Sequence, residues 1–112
     1  MLRRDGYEAM TFPWSFIPAL GPGERRADYF TWPDATLAGL RFPYFALRER
    51  ELGPTVLVIS GIHAGEYPGP LAAIALGREL DPATLRGALL ILPLVNLPSF
   101  WARSAFVTPG VG

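Results

Sequence analysis

Two short apolar runs on either side of a helical segment constrain the fold of this chain more than any other feature. Residues 55–60 form a β-branched apolar run, the pattern of a strand buried on both faces, and residues 88–92 form a second buried strand. Between them, Pro70 suits the first position of a helix that continues to about Leu80. Strand, loop, helix and strand make a βαβ unit, which predicts an α/β fold with parallel pairing and a right-handed crossover.

The residues before this unit have a different character. Residues 1–39 are rich in proline, glycine and aromatic side chains, which predicts an irregular N-terminal extension that packs its rings over a core. An aromatic ligand-binding surface is the alternative interpretation of the same rings. Residues 40–48 alternate loosely, as a strand does, and Pro43 favours an edge position for that strand.

Composition narrows the classes of protein that remain. The chain has 112 residues, 50% of them hydrophobic, which fits one domain with a buried core. Ten basic residues balance ten acidic ones, so we expect neither nucleic acid nor an anionic membrane surface as a partner. No targeting signal and no apolar stretch of the ~20 residues that a membrane helix needs is visible, which makes a cytoplasmic protein the default expectation. The absence of cysteine excludes disulfide scaffolds and thiolate metal sites.

The loop after the first apolar run contains the residues best suited to chemistry. His63, the single histidine, and Glu66 are three positions apart, which places both side chains on one side of a helical turn. Imidazole nitrogen and carboxylate oxygen are both zinc ligands, and catalytic zinc often binds two histidines and one glutamate. In α/β sheets, ligands bind beyond the carboxyl ends of the strands, where this loop and the loop after Pro93 both emerge. A hydrogen-bonded pair without a metal is the alternative.

Residues 53–69, which read Gly-Pro-Thr-Val-Leu-Val-Ile-Ser-Gly-Ile-His-Ala-Gly-Glu-Tyr-Pro-Gly, resemble the opening motif of the succinylglutamate desuccinylase/aspartoacylase family. The similarity continues through residues 81–82, 85–87 and 95–103. Members of this family are zinc hydrolases. The resemblance therefore implies a partial zinc-carboxypeptidase-like three-layer sandwich with a mixed, largely parallel sheet, in which residues 40–112 are the N-terminal part of the catalytic domain.

The same resemblance assigns roles to individual residues. It implies that His63 and Glu66 are two of three zinc ligands, and that Arg103 polarises the substrate carbonyl or holds the substrate carboxylate. A solvated or salt-bridged side chain is the alternative for Arg103. Asn96 matches an asparagine that we expect to shape its loop rather than to react. Ala64-Gly65 stands where many members have Gly-Asn, and Leu97 where many have proline.

The resemblance implies a zinc-dependent deacylase that hydrolyses amide or ester bonds in N-acyl amino acids or related small molecules. In the family, the third zinc ligand and the general-base glutamate lie beyond the point at which this sequence reads Gly110-Val111-Gly112. Because catalytic zinc needs three protein ligands and an open position, we expect a truncated chain that binds metal weakly and lacks turnover by itself. The alternatives are a non-catalytic remnant or interaction module of the same lineage and a zinc carboxypeptidase that acts on peptides.

One further expectation concerns the state of the isolated chain. Parallel strands need helices on both faces, and the sequence contains one clear helix. We therefore expect the other face of the two strands to be partly bare. With zero net charge, such a chain is expected to self-associate.

Overall fold

A sheet of four strands forms the centre of the computed structural model, which describes residues 17–49, 53–63 and 65–102. Helix α1 connects the third strand to the fourth, and a short helix α2 follows the fourth strand. Among the described residues, no helix is long and apolar enough to span a membrane. The elements are β1 (Arg25–Phe30), a 3-10 turn (Ala35–Leu37), β2 (Phe42–Arg48), β3 (Thr55–Ile59), α1 (Pro68–Glu79), a second 3-10 turn (Pro82–Thr84), β4 (Ala88–Leu92) and α2 (Leu97–Ala102).

Strands β3 and β4 and the helix between them form the predicted βαβ unit. β3 and β4 pair in parallel, with Thr55 opposite Ala88 and Ile59 opposite Leu92. β2 pairs antiparallel with both β1 and β4, which gives the strand order β1-β2-β4-β3. The mixed α/β sheet is therefore confirmed. The expectation that it is largely parallel is wrong for the described strands, because only the β3–β4 pair is parallel and β2 pairs antiparallel on both sides. This pairing places the carboxyl ends of β3 and β4 at the same edge of the sheet.

β4 is the most completely buried strand of the described sheet, with all five residues buried. On one face, Leu89 and Ile91 belong to a buried cluster that also contains Ala73 of α1. On the other face, Leu90 belongs to a second cluster that includes Leu97 of α2. The sheet therefore lies between two layers at this strand. The expectation that the second face of β4 is partly bare is wrong, because residues outside the βαβ unit cover it.

The proline of β2 does not place that strand at an edge. β2 lies between β1 and β4, so the predicted edge position is wrong. Pro43 pairs with Tyr29 of β1, whereas the pairing of β2 with β4 begins at Phe45. Pro43 thus lies where β2 has a neighbouring strand on one side only, and its missing N–H is tolerated there.

Strand β1 lies in the stretch that the sequence predicts to be irregular, and that prediction is wrong for residues 25–30. All six of these residues pair with β2. Four aromatic rings near this pair have centroids 5.0 to 6.2 Å apart, and they belong to Phe30, Trp32, Phe42 and Tyr44. These contacts support packing rather than a ligand-binding surface. Phe12, Trp14 and Phe16 lie outside the described residues, and the division of the chain at residue 40 stays a prediction.

Strand β3 is an exposed edge of the described sheet. The sequence predicts a strand buried on both faces, but Val56, Leu57 and Ile59 are 50%, 47% and 47% exposed. Because side chains alternate along a strand, these residues leave both faces of β3 partly uncovered. The prediction is wrong because burial depends on the neighbouring strand and layers, which an apolar run does not specify.

Helix α1 contacts β2 through a glycine. A Cβ atom at Gly77 would overlap the ring of Phe45. We expect Gly77→Ala to lower the free energy of unfolding by about 1–3 kcal/mol, because overpacking outweighs the gain of ~1 kcal/mol in helix propensity. Urea unfolding followed by circular dichroism measures this change.

Gly69→Ala is the matched control for this substitution. It is the same change in the same helix, and its Cβ would meet the Ser60 Cβ at an ordinary 3.7 Å. We expect it to change the free energy of unfolding less than Gly77→Ala does, since the restriction that Pro70 places on the preceding residue offsets the gain in helix propensity. Equal stability of the two variants would contradict the close packing of α1 on Phe45.

The exposed edge leads us to expect self-association through β3. Among the described strands, β3 has a neighbour on one side only, and its five residues carry no charge. Charged side chains on an edge strand oppose pairing with another chain, so Leu57→Lys is expected to shift an oligomer toward monomer. Ala35→Lys adds the same charge at an exposed residue before β2 and serves as the control. Light scattering over a range of concentrations measures the effect, and a monodisperse wild-type monomer would contradict the expectation.

Candidate metal centre

The loops that follow β3 and β4 meet at the carboxyl edge of the sheet, as the βαβ unit predicts. The Ser60 N–H donates to the Leu92 carbonyl at 3.0 Å, and the Ser60 hydroxyl donates to the Pro93 carbonyl at 2.7 Å. In return, the Val95 N–H donates to the Ser60 carbonyl at 3.0 Å. Ser60 thus holds the two loops side by side. The sequence does not predict this role, because no local motif specifies which carbonyl group the Ser60 hydroxyl contacts.

Gly61 lets the first loop turn away from the sheet in a narrow space. Its φ is +75°, in the left-handed region that favours glycine. A Cβ atom at this position would lie 2.8 Å from the Pro93 carbonyl oxygen and 3.0 Å from the Leu94 Cα. Both constraints select glycine, and the chain that leaves Gly61 leads directly to His63.

The structure brings His63 and Glu66 together, as their spacing predicts. The Glu66 N–H donates to the His63 carbonyl at 2.9 Å, which closes a turn just before α1. The His63 Nδ1 and Glu66 Oε1 atoms lie 3.0 Å apart. The two side chains are 46% and 72% exposed, so a ligand from solvent has access to both donor groups.

A cavity of about 340 Å³ adjoins this pair. It is bounded by the β3–α1 loop and the first turn of α1. Its volume is at the lower end of the ~300–1,000 Å³ that is usual for small-molecule sites, so it has room for an ion and part of a small substrate. The lining residues are Ser60, Gly61, Ile62, His63, Glu66, Gly69 and Pro70.

The donor groups of this pair suit a zinc ion. Zinc binds imidazole nitrogen and carboxylate oxygen at about 2.0–2.2 Å, so two such atoms on one tetrahedral ion lie roughly 3.3 Å apart. The observed separation of 3.0 Å between His63 and Glu66 is close to that value, and it equally satisfies the alternative of a hydrogen-bonded pair. Within the described ranges, no group of three or more His, Cys, Asp or Glu side chains is arranged to hold a metal ion.

Asn96 connects the second loop to the first. Its backbone N–H donates to the Gly61 carbonyl at 3.2 Å, and its side-chain amide donates to the Ile62 carbonyl at 3.1 Å. These contacts agree with the loop-shaping role predicted for it. Arg103, the residue predicted to contact the substrate, lies outside the described residues, and its role stays a prediction.

Comparison with known families identifies the stretch that contains this site. A family model described as the succinylglutamate desuccinylase/aspartoacylase catalytic domain matches residues 52–108. These residues include the whole βαβ unit and the turn with His63 and Glu66. None of the curated proteins compared with the chain matches it.

Solved structures show the same fold. A succinylglutamate desuccinylase/aspartoacylase from Rhodobacter sphaeroides is 29% identical and superposes on 77% of the chain with a TM-score of 0.64. The product-bound ectoine utilization protein EutE (DoeB) from Ruegeria pomeroyi is 28% identical, over 72% of the chain with a TM-score of 0.62. An aspartoacylase family protein from Mesorhizobium loti, 24% identical, has the same fold over 94% of the chain with a TM-score of 0.66.

The chain spans 27%, 26% and 32% of the lengths of these three proteins, in that order. The family match covers half of the chain itself, and it includes both loops at the carboxyl edge of the sheet. Motif, fold and family match therefore agree on the same residues. This chain belongs to the succinylglutamate desuccinylase/aspartoacylase family.

Proposed function

We propose that this chain carries part of the active site of a zinc-dependent hydrolase that removes acyl groups from N-acyl amino acids or related small molecules. The observation that carries the proposal is the exposed pair of His63 and Glu66, with donor atoms 3.0 Å apart beside a cavity at the carboxyl edge of the sheet. Family membership supports a hydrolase of the deacylase type.

In this proposal, His63 and Glu66 hold the zinc ion through imidazole nitrogen and carboxylate oxygen. A bound zinc ion polarises a scissile carbonyl and lowers the pKa of water to ~7. At least one further protein ligand is required, because a catalytic zinc site has three protein ligands and an open position. The turn that joins the Glu66 N–H to the His63 carbonyl keeps the two donor groups within reach of one ion.

The proposed role of Arg103 is to bind the substrate. A guanidinium group presents a planar fork of N–H donors, which matches a carboxylate or an oxygen that gains negative charge during hydrolysis. An N-acyl amino acid contains both a carboxylate and a scissile carbonyl. This substrate class therefore suits a site that combines a metal ion with an arginine, and the cavity of about 340 Å³ suits a small substrate.

Metal binding is the first test of the proposal. We expect His63→Ala and Glu66→Gln to raise the dissociation constant for zinc by at least about tenfold. Mutation of a residue that only supports a metal ligand already lowers metal affinity by about 10–100-fold, and removal of the ligand itself is expected to lower it at least as much. Competition against a chromophoric chelator measures the constant. Glu79→Gln, which neutralises an exposed carboxylate at the end of α1, is the control and is expected to bind zinc as the wild type does. Unchanged zinc affinity in His63→Ala would falsify the metal centre.

The substrate class is tested in the longest polypeptide that the gene encodes. We expect zinc-dependent release of the acyl group from N-acetyl or N-succinyl amino acids, and loss of that activity in His63→Ala. A C-terminal peptide serves as the competing substrate in the same assay. Hydrolysis of the peptide alone would favour the carboxypeptidase alternative, and hydrolysis of neither substrate would favour a non-catalytic member of the family.

A further inference from the structure

We infer that Asn96 is a positioning residue that sets the metal affinity of His63 through the Ile62 carbonyl. The inference rests on the proposed function, since it concerns the same metal centre. Asn96 follows β4, 33 positions after His63 in the sequence, and its side-chain amide donates to the Ile62 carbonyl in the loop that carries His63. The role inferred for it is to orient a ligand, not to bind the ion.

The hydrogen bonds of Asn96 use both ends of its side chain. Its Nδ2 donates to the Ile62 carbonyl at 3.1 Å, and its Oδ1 accepts from the Ser99 N–H at 3.3 Å in the first turn of α2. The first bond fixes a carbonyl in the loop that carries His63. The second caps the short helix. One side chain thus ties the orientation of the loop to the position of α2.

The Ile62 carbonyl belongs to the peptide group that leads into His63. Rotation of that peptide plane changes the backbone dihedral angle at His63 and swings its Cα–Cβ bond. Metal and catalytic sites need their side chains held within about 0.5 Å of the productive geometry. A bond that fixes this plane therefore acts directly on where the imidazole nitrogen lies.

Hydrogen bonds are well placed to supply this restraint. The side chains of Ile62 and His63 are both exposed, the former by 57%, so they pack less closely than the buried residues of β4. The hydrogen bonds of Ser60 and the close contacts of Gly61 hold the chain up to residue 61. Asn96 extends these contacts by one residue, to the peptide group that joins Ile62 to His63.

Substitutions of Asn96 separate its two bonds. Serine is a good N-cap residue, so Asn96→Ser keeps an oxygen for the Ser99 N–H but has no donor that reaches the Ile62 carbonyl. Asn96→Ala loses both bonds. If Asn96 positions His63, both variants bind zinc about 10–100-fold more weakly than the wild type. If Asn96 only caps α2, Asn96→Ser binds zinc normally, and that result would overturn the inference.

Two further measurements accompany the zinc affinities. The Co²⁺ absorption spectrum reports ligand geometry, and we expect it to change in both variants. The unfolding midpoint is expected to stay within about 2 °C of the wild type in Asn96→Ser, since the cap is preserved, and to fall further in Asn96→Ala. If Asn96→Ser does not fold, Asn96→Asp is the replacement, because it also keeps the cap and lacks the donor.

Failure of the proposed function is distinguishable from failure of this inference. If His63→Ala binds zinc as well as the wild type, the proposed metal centre is wrong. The effect of Asn96 on the orientation of His63 can then still be measured in the metal-free protein. The chain has one histidine, so its imidazole signals in NMR spectra belong to His63 without ambiguity. We expect these signals to move in both Asn96 variants and not in Asp81→Ser, which alters the cap of the 3-10 turn before β4, at the opposite edge of the sheet. Unchanged imidazole signals in Asn96→Ser and Asn96→Ala would overturn the inference.

Discussion

The burial of β4 on both faces is the constraint on which the rest of the described structure depends. Its five residues separate two apolar clusters, and it pairs with β2 on one side and β3 on the other. Each buried aliphatic side chain contributes about 1.5–3 kcal/mol relative to exposure, so a strand without an exposed residue fixes the position of its neighbours strongly. β3 pairs with β4 in parallel, which brings the two loops together at one edge of the sheet.

The candidate metal centre is held together differently from the core. His63 and Glu66 are exposed, and hydrogen bonds join their side chains and their backbone groups to each other. Ser60 joins the two loops, Gly61 permits their close approach, and Asn96 reaches the residue before His63. Such an arrangement leaves donor groups open to a ligand at the end of a fully buried strand, β4. In α/β proteins the functional residues usually lie on loops at the carboxyl ends of the strands, and the sheet positions those loops.

Much of this arrangement is predictable from the sequence because its signals are local. Helix α1 follows from a proline at its start and an uninterrupted apolar run, and it spans Pro68–Glu79 where the sequence predicts 70 to about 80. The proximity of His63 and Glu66 follows from a spacing of three residues. The edges of the sheet are not predictable in this way. Pro43 is tolerated inside the sheet because β4 begins to pair only at Phe45, and the apolar β3 is exposed because it has one neighbouring strand among those described.

The sequence alone is enough to identify the βαβ unit, the loop that presents His63 and Glu66, and the family to which the chain belongs, since each depends on residues close together along the chain. Folding in three dimensions places β2 inside the sheet, pairs β1 with it, and brings Asn96 into contact with the loop before His63. These features depend on contacts between residues up to several tens of positions apart. Local propensity does not encode such contacts, because strand pairing and the choice of buried face depend on how much apolar surface the whole fold removes from water.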